Sequence, residues 1–300
     1  MTAPSVLDTE SASATAFTPS TAHLDTISLD ELAERASLLT RVDRKYLVPA
    51  SDIETILAEL DGQARVLEID GRQHFDYESV YFDTPDAASY LLAAHPRRRR
   101  YKARTRSYLN SGECYLEVKT KGSRGTTAKQ RLPYSFDERS TLTPAGREYI
   151  TELLADAAVA NVRTSQLEPV LTTRYTRTTL FVPASGSRCT IDSSLSWQRI
   201  DDVRHDDDAR HDSVALHDGQ LRDDELHFDN TVIVETKSTG RASEVDRILW
   251  RLGHRPDRIS KFGTGLAALR PELPNNRWAR VLRRHFTPVR DAKAAVPVIA

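Results

Sequence analysis

Charged residues recur at every second position in several stretches of this chain. Lys102, Arg104 and Arg106 form one such set, Glu117, Lys119 and Lys121 a second, and Lys129 and Arg131 a third. Arg188, Thr190 and Asp192 have the same spacing, as do Ile233, Glu235 and Lys237, and Arg41, Asp43 and Lys45. Side chains alternate between faces along a strand, so each set would share a face. The intervening residues are apolar in most cases: Leu116 and Val118, Cys189 and Ile191, Val232 and Val234. The first strand is less clean, because Arg44 lies beside Val42. A single strand of this kind is ordinarily a sheet with its polar face in water. Five or six of them, with opposite charges as close as Glu117 and Lys119, need shared solvent or a shared ligand. A barrel with a charged lumen and an apolar, helix-covered exterior accounts for the pattern.

Such a lumen would collect anions, although the whole chain is almost neutral. The 300 residues hold 42 Lys+Arg and 43 Asp+Glu, a formal net charge of −1. Between Arg97 and Arg131, however, twelve Lys/Arg face only Glu113 and Glu117. Between Asp201 and Asp229 the balance reverses, with eleven Asp/Glu against Arg204, Arg210 and Arg222. The basic block gives a local positive field. The acidic block has few apolar residues and no period, and reads as a solvated loop. Its His205, His211, His217 and His227 match no compact zinc spacing.

The elements that must position these residues are legible in outline. A hydrophobic content of 39% is enough for a core and excludes a wholly disordered chain. Residues 1–24, rich in Ser, Thr and Ala, read as a disordered tail. Helices are predicted from Ser28, from Ser51 to Asp61, from Pro144 to Ala160, from Ser243 to Leu252 and from Arg277 to Phe286. Strands are predicted at 41–48, 65–70, 75–82, 99–109, 113–120, 127–136, 169–182, 187–197 and 230–238. This is an α+β pattern of long antiparallel strands, without alternating βαβ units. Asp83 to Asp86 reads as a turn around Pro85, and Gly263-x-Gly265 as a turn into a helix at Leu266. Cys114 and Cys189 fall on apolar faces as separate buried thiols, and two cysteines make no disulfide framework. No apolar run approaches the roughly 18 residues of a membrane span, and no secretory signal is readable, so a cytoplasmic protein is expected.

Several segments together resemble a known family. They are RVDRKY (41–46), YFDTPD (81–86), RRRRYKARTRSY (97–108), YLEVKTKG (115–122), KQR (129–131), YTRTTL (175–180), RCTIDSSLSW (188–197), VIVETKS (232–238) and SKFGTG (260–265). In this order they resemble the VTC domain, the polyphosphate polymerase module of the triphosphate tunnel superfamily, which includes the CYTH proteins. The resemblance implies an antiparallel eight-stranded tunnel barrel with a Lys/Arg-lined lumen and helices packed outside. It spans a domain at 25–270 with an acidic insertion at 201–229, followed by a C-terminal helix and tail at 271–300. It also implies ATP-dependent elongation of inorganic polyphosphate, with Mn²⁺ or Mg²⁺ as cofactor. By motif, Lys45, Arg104, Arg106, Lys119 and Lys261 would act at the reacting phosphates. Lys129, Arg177, Arg188 and Ser260 would bind substrate phosphates, and Glu235 would hold the metal. Lys121, Arg131 and Lys237 join them by strand parity.

The acceptor would be a phosphate chain end, already anionic, so no general base is required. The obstacle is repulsion between two polyanions, which Lys and Arg would offset. Two alternatives remain open at this level. Metal-dependent triphosphatases of the superfamily carry acid-x-acid-x-Lys on the first strand, where this chain has Arg41-x-Asp43-x-Lys45. Asp43, Glu117 and Asp192 remain as further candidate metal ligands. A non-enzymatic polyphosphate or RNA binder would use Tyr101, Tyr108 and Tyr115 for stacking, although nucleic acid is not the expected partner. Export of the product would require a membrane protein.

Overall fold

The alternation seen in the sequence becomes pleat in the computed structural model, which describes residues 17–36, 42–121, 127–200, 219–222 and 225–286. Along the strand Arg100–Tyr108 buried and half-buried residues alternate without a break. In chain order the elements are β1 (Asp25–Ile27), α1 (Leu29–Arg35), β2 (Val42–Pro49), α2 (Ala50–Glu59), β3 (Arg65–Leu67), β4 (His74–Asp83), α3 (Ala88–Ala94), β5 (Arg100–Tyr108), β6 (Glu113–Lys121), β7 (Thr127–Pro133) and α4 (Pro144–Asp156). There follow β8 (Glu168–Val182), β9 (Ser187–Arg199), β10 (Gly219–Arg222), β11 (Glu225–Phe228), β12 (Thr231–Ser238), α5 (Glu244–Arg251), α6 (Lys261–Leu269) and α7 (Ala279–His285).

The strands form one twelve-stranded sheet. Its main path runs β2-β12-β9-β8-β4-β5-β6-β7, every neighbour antiparallel. Side branches add β3 to β8, β1 in parallel to β3, and the β10–β11 pair to β9. The path contains the eight strands expected of a tunnel, but it is not a closed barrel. Among the described residues β2 pairs only with β12 and β7 only with β6. The reason lies in the last strand. Thr127 to Pro133 is exposed along nearly its whole length, carries Lys129 and Arg131, and ends in a proline that lacks a donor. Charged, Pro-terminated strands are typical free edges.

The apolar face of this path is covered by helices. α2 and α5 pack Ile53, Ile56, Leu57, Val245, Ile248 and Leu249 against Tyr46, Val48, Leu180, Ile191, Val232 and Val234. α4 packs Ile150 and Leu154 against Val80, Phe82, Ala103, Leu116 and Val118. Full burial of each such side chain contributes about 1.5–3 kcal/mol. Capping fixes where the helices start. Thr143 accepts from the Gly146 amide ahead of α4, with Pro144 in the first turn, and Ser243 and Asp246 form a reciprocal capping box on α5. Ser51 caps nothing, because α2 begins one residue earlier, at Ala50.

The other face changes character along its length. On β2, Asp43 and Lys45 give way to Leu47, and on β12, Lys237 and Glu235 give way to Ile233. Leu47, Ile233, Tyr81 and Tyr175 pack against Phe262 and Leu266 of α6, with α3, α7 and Trp197 completing the cluster. α6 therefore seals one end of the charged face.

Three sequence expectations change here. Residues 17–24 belong to the fold, because Leu24 is buried and Phe17 packs on the same cluster, so the tail does not extend to 24; residues 1–16 lie outside the described residues. Within the acidic block, β10 pairs antiparallel with β11 and β11 with β9, which puts Leu226 and Phe228 in the core; 201–218 and 223–224 lie outside the described residues. The turn expected around Pro85 is present, and it leads directly into α3, whose first amides are bound by the buried Asp83 carboxylate. The C-terminal helix α7 contributes Val281, and the adjoining Trp278 and Phe286, to the main core, while 287–300 lie outside the described residues.

Candidate active site

Antiparallel register assembles the charged face. Lys102 lies opposite Lys119, and Arg104 opposite Glu117. Glu117 in turn faces Arg131, and Lys119 faces Lys129. On the far side Glu235 faces Lys45, Ile233 faces Asp192, and Lys237 faces both Asp43 and Arg188. Arg177 faces Asp192.

The cations gather around three carboxylates. Arg104 donates from Nε and an η nitrogen to Glu117 at 3.0 and 2.7 Å, Lys129 lies 2.5 Å from the same carboxylate, and Arg106 approaches it to 3.8 Å. Arg177 grips Asp192 with two parallel bonds of 2.6 and 2.8 Å, and Lys261 pairs with the same group. Lys45 and Lys237 take one oxygen each of Glu235, the latter at 2.7 Å. Burial alone would push all three carboxyls up. The adjacent cations outweigh it and hold Glu117, Asp192 and Glu235 well below the usual carboxylate range. Lys129 is half exposed, so its share in holding Glu117 is the most screened.

The same crowding acts on the lysines in the opposite sense. Burial lowers Lys237 and Lys261 to about 8 despite their carboxylate partners. Lys119 and Lys129 are also lowered, first by burial. Lys119 reaches solvent although protein surrounds it, as expected on the wall of an open channel. Aromatic rings complete the lining. Arg104 donates to the Tyr81 hydroxyl at 3.0 Å, Arg177 lies over Tyr77 and Tyr175, and the Lys261 ammonium sits 4.2 Å from the Tyr175 ring centre.

α6 supplies two residues from its first turn. Ser260 caps the helix, accepting from the Gly263 amide at 3.1 Å, and Lys261 follows it. Gly263 and Gly265 lie inside α6 and not in a turn before it. A Cβ on Gly263 would come within 2.3 Å of Trp278, and one on Gly265 within 2.1 Å of Trp197. Glycine at these two positions lets the indoles rest directly on the helix backbone.

Lys45, Arg104, Arg106, Lys119, Lys129, Arg177, Lys237, Lys261, Ser260 and Glu235 are thus joined by contacts or by cross-strand register. Lys121 lies at the end of β6 opposite Arg100, and Arg131 is exposed over the Tyr115 ring at 4.7 Å. Arg188 faces Lys237 across β9 and β12. Arg41 lies outside the described residues. Two contributors were missed. Lys102 shares the strand face of Arg104, and its parity was the available signal. Tyr81 was hidden within a motif read for its turn. Among the tyrosines considered for stacking, Tyr101 is buried on the opposite face, against the α4 core, and Tyr108 packs edge-on with Tyr115 at 6.1 Å.

The cations of this face outnumber its carboxylates, so a bound polyanion would find donors on several strands at once. A resident metal cage is not built here. Both Glu235 oxygens are engaged by lysines, and among the described residues no three His, Cys, Asp or Glu side chains converge. A hard divalent ion would take one protein oxygen and complete its shell from phosphate and water. To hold a divalent ion, Glu235 would have to give up Lys45 or Lys237.

Comparison with known proteins agrees with the resemblance drawn from the motifs. The VTC domain profile matches residues 40–270, and the chain belongs to the VTC domain family. No curated protein matches it. Among solved structures, a Bacillus halodurans protein provisionally named an adenylate cyclase aligns at 14% identity over 74% of this chain and 94% of its own, with a TM-score of 0.45. A provisionally named adenylyl cyclase of Hippeastrum, described as having a dominant triphosphatase activity, aligns at 13% identity over 79% and 99%, with a TM-score of 0.41. A Pyrococcus horikoshii OT3 protein aligns at 12% identity over 75% and 98%, with a TM-score of 0.37.

Proposed function

We propose that this VTC-domain protein is an ATP-dependent polyphosphate polymerase. The observation that carries the reading is the channel face on which Lys45, Arg104, Arg106, Lys119, Arg177 and Lys261 converge from five different elements. A terminal oxygen of the acceptor chain forms a bond to the γ-phosphorus of ATP, while the bond from that phosphorus to the β–γ bridging oxygen breaks. ADP leaves with the electron pair. The charges balance without a proton transfer, so the site needs no general base.

What it must supply is alignment and relief of repulsion. Arg104 and Arg177 present planar forks for phosphate oxygens, and each can turn from its carboxylate toward the substrate. Lys45, Lys119 and Lys261 act as point charges around the transferred group. Arg106, Lys129, Arg188 and Ser260, with Lys121, Arg131 and Lys237, hold the chain on either side. Glu235 would be the protein ligand for Mn²⁺ or Mg²⁺, and the ion would supply positive charge against the phosphate groups. We place the enzyme in the cytoplasm. Among the described residues no helix is long and apolar enough to cross a membrane. A membrane partner for export of the product is part of the same proposal.

The test is a Mn²⁺ titration of ADP formation by the wild type and by Glu235→Gln. The variant should retain triphosphate binding, because the site becomes more positive, and lose metal-dependent transfer by orders of magnitude. An unaltered titration curve would remove the metal assignment.

A further inference from the structure

Lys102 differs in what it touches from the cations bonded to Glu117, Asp192 and Glu235. Its Nζ donates to the Ser260 hydroxyl at 3.0 Å and lies 5.2 Å from the Phe262 ring centre. Among the described residues no hydrogen bond or ion pair joins it to a carboxylate, whereas Glu117, Asp192 and Glu235 are each taken by other cations. The groups facing it are Arg100 and Arg104 on its own strand, Lys119 on β6, Lys45 on β2, and Ser260 and Phe262 at the start of α6. Tyr81 of β4 stacks behind Phe262 at 5.1 Å. All the charged groups in this set are positive.

We infer that Lys102 is a further phosphate-binding residue of the channel, and that binding of a phosphate chain converts its amine to an ammonium, taking up one proton from solvent. In the free protein the side chain is held near the amine form, with its pKa lowered to about 7, first by burial and then by Arg104, Lys119 and Lys45. An arriving polyanion reverses the local potential that those cations create. The ammonium then donates to a phosphate oxygen in place of, or together with, the Ser260 hydroxyl. Below pH 7 Lys102 is already charged and binding takes up no proton there. Above pH 7 binding must take one up, and affinity falls with rising pH by up to about tenfold per unit on this account. The inference rests on reading the channel as a phosphate site and does not depend on whether polymerisation follows.

Calorimetric titration with inorganic tripolyphosphate at pH 8, in two buffers of different ionisation enthalpy, counts the protons taken up per bound anion. Ionisation of the anion and of Lys237 and Lys261 contributes to every protein, so the difference between proteins is the quantity of interest. Lys102→Arg should bind tripolyphosphate with the uptake reduced by about one proton. Lys102→Met should show the same reduction and bind roughly ten- to a hundredfold more weakly. Proton uptake equal to wild type in both variants would overturn the inference, as would failure of the wild type to bind tripolyphosphate. Proton uptake that depends on Lys102, in a protein that makes no polyphosphate from ATP, would leave the inference standing and remove the polymerase reading instead.

Discussion

The Trp197 indole donates a 2.8 Å hydrogen bond to the main-chain carbonyl of Lys261. The same indole rests on the backbone of α6 at Gly265. Trp197 is on β9, which also carries Asp192, the ion-pair partner of the Lys261 ammonium. One strand therefore holds Lys261 twice, by its backbone from the apolar end of the sheet and by its side chain from the charged end. A fully buried tryptophan thus positions a lysine of the charged face.

Gly265→Ala should therefore act on both stability and binding. Its methyl would meet a ring and a helix backbone that are both packed in place, so α6 must shift. A loss of about 1–3 kcal/mol is expected for overpacking of this kind. Displacement of Lys261 should weaken tripolyphosphate binding as well. Thermal melts and a tripolyphosphate titration on the same preparation check this, and an unchanged melting temperature would contradict the close approach.

Phe228→Ala should cost about 3–5 kcal/mol, because the ring is fully buried and packs against Trp197 at 5.0 Å and Phe286 at 4.7 Å. A deletion running from 201 through 229 would remove this ring and Leu226, so it should unfold the protein. The composition of the block suggests a solvated loop, whereas Leu226 and Phe228 at its end lie in the core. Wild-type stability in either variant, by denaturant titration, would contradict the packing.

These two sites show what the sequence could and could not disclose. The charged face of β5 and β6 was legible because alternation is a local property, fixed by the pleat within a few residues. Lys102 was on that face by parity, but only its register against Lys119 and its contact with Ser260 distinguish it from an ordinary exposed lysine. β11 was hidden because Leu226 and Phe228 are two apolar residues in a run of Asp, Glu and His. The first turns of α6 were hidden because Gly263 and Gly265 disfavour a helix in isolation, and the tryptophans that require glycine there are remote in sequence. Closure of the barrel was not legible, since it depends on whether the edges of β2 and β7 meet.

Stability should rise with pH between 7 and 8.5 in the absence of ligand. Lys102 is lowered to about 7, and Lys237 and Lys261 to about 8, against an ordinary value of 10.5. In this window the unfolded chain holds more protons than the folded one, so raising the pH favours the fold. Glu117, Asp192 and Glu235 are fully ionised throughout it and add no slope. Above it the buried thiols of Cys114 and Cys189, both pushed up first by burial, work against this slope because they ionise only on unfolding. Melting temperatures across the window check the sign, and a decline from pH 7 to 8.5 would contradict it.

Arg104→Ala should lower tripolyphosphate affinity roughly ten- to a hundredfold, the range for a lost charged hydrogen bond. A cluster of like charges, taken alone, predicts no cost in stability, because repulsion is relieved. The structure changes that expectation. Arg104 is bonded to buried Glu117 and to the Tyr81 hydroxyl, so its removal should also cost about 1–2 kcal/mol, limited by the partners Glu117 keeps in Arg106 and Lys129. Arg104→Lys should restore stability more fully than binding, since an ammonium lacks the fork. Equal restoration of both would show that charge alone matters at this position.

The central claim concerns where the γ-phosphate goes. The most direct measurement incubates the protein with γ-labelled ATP, Mn²⁺ and a short polyphosphate acceptor, and divides the label between polyphosphate on a gel and free orthophosphate. The account predicts label in chains longer than the acceptor, with one ADP released for each phosphate added. Label recovered as orthophosphate, with the acceptor length unchanged, would contradict it and identify a triphosphatase.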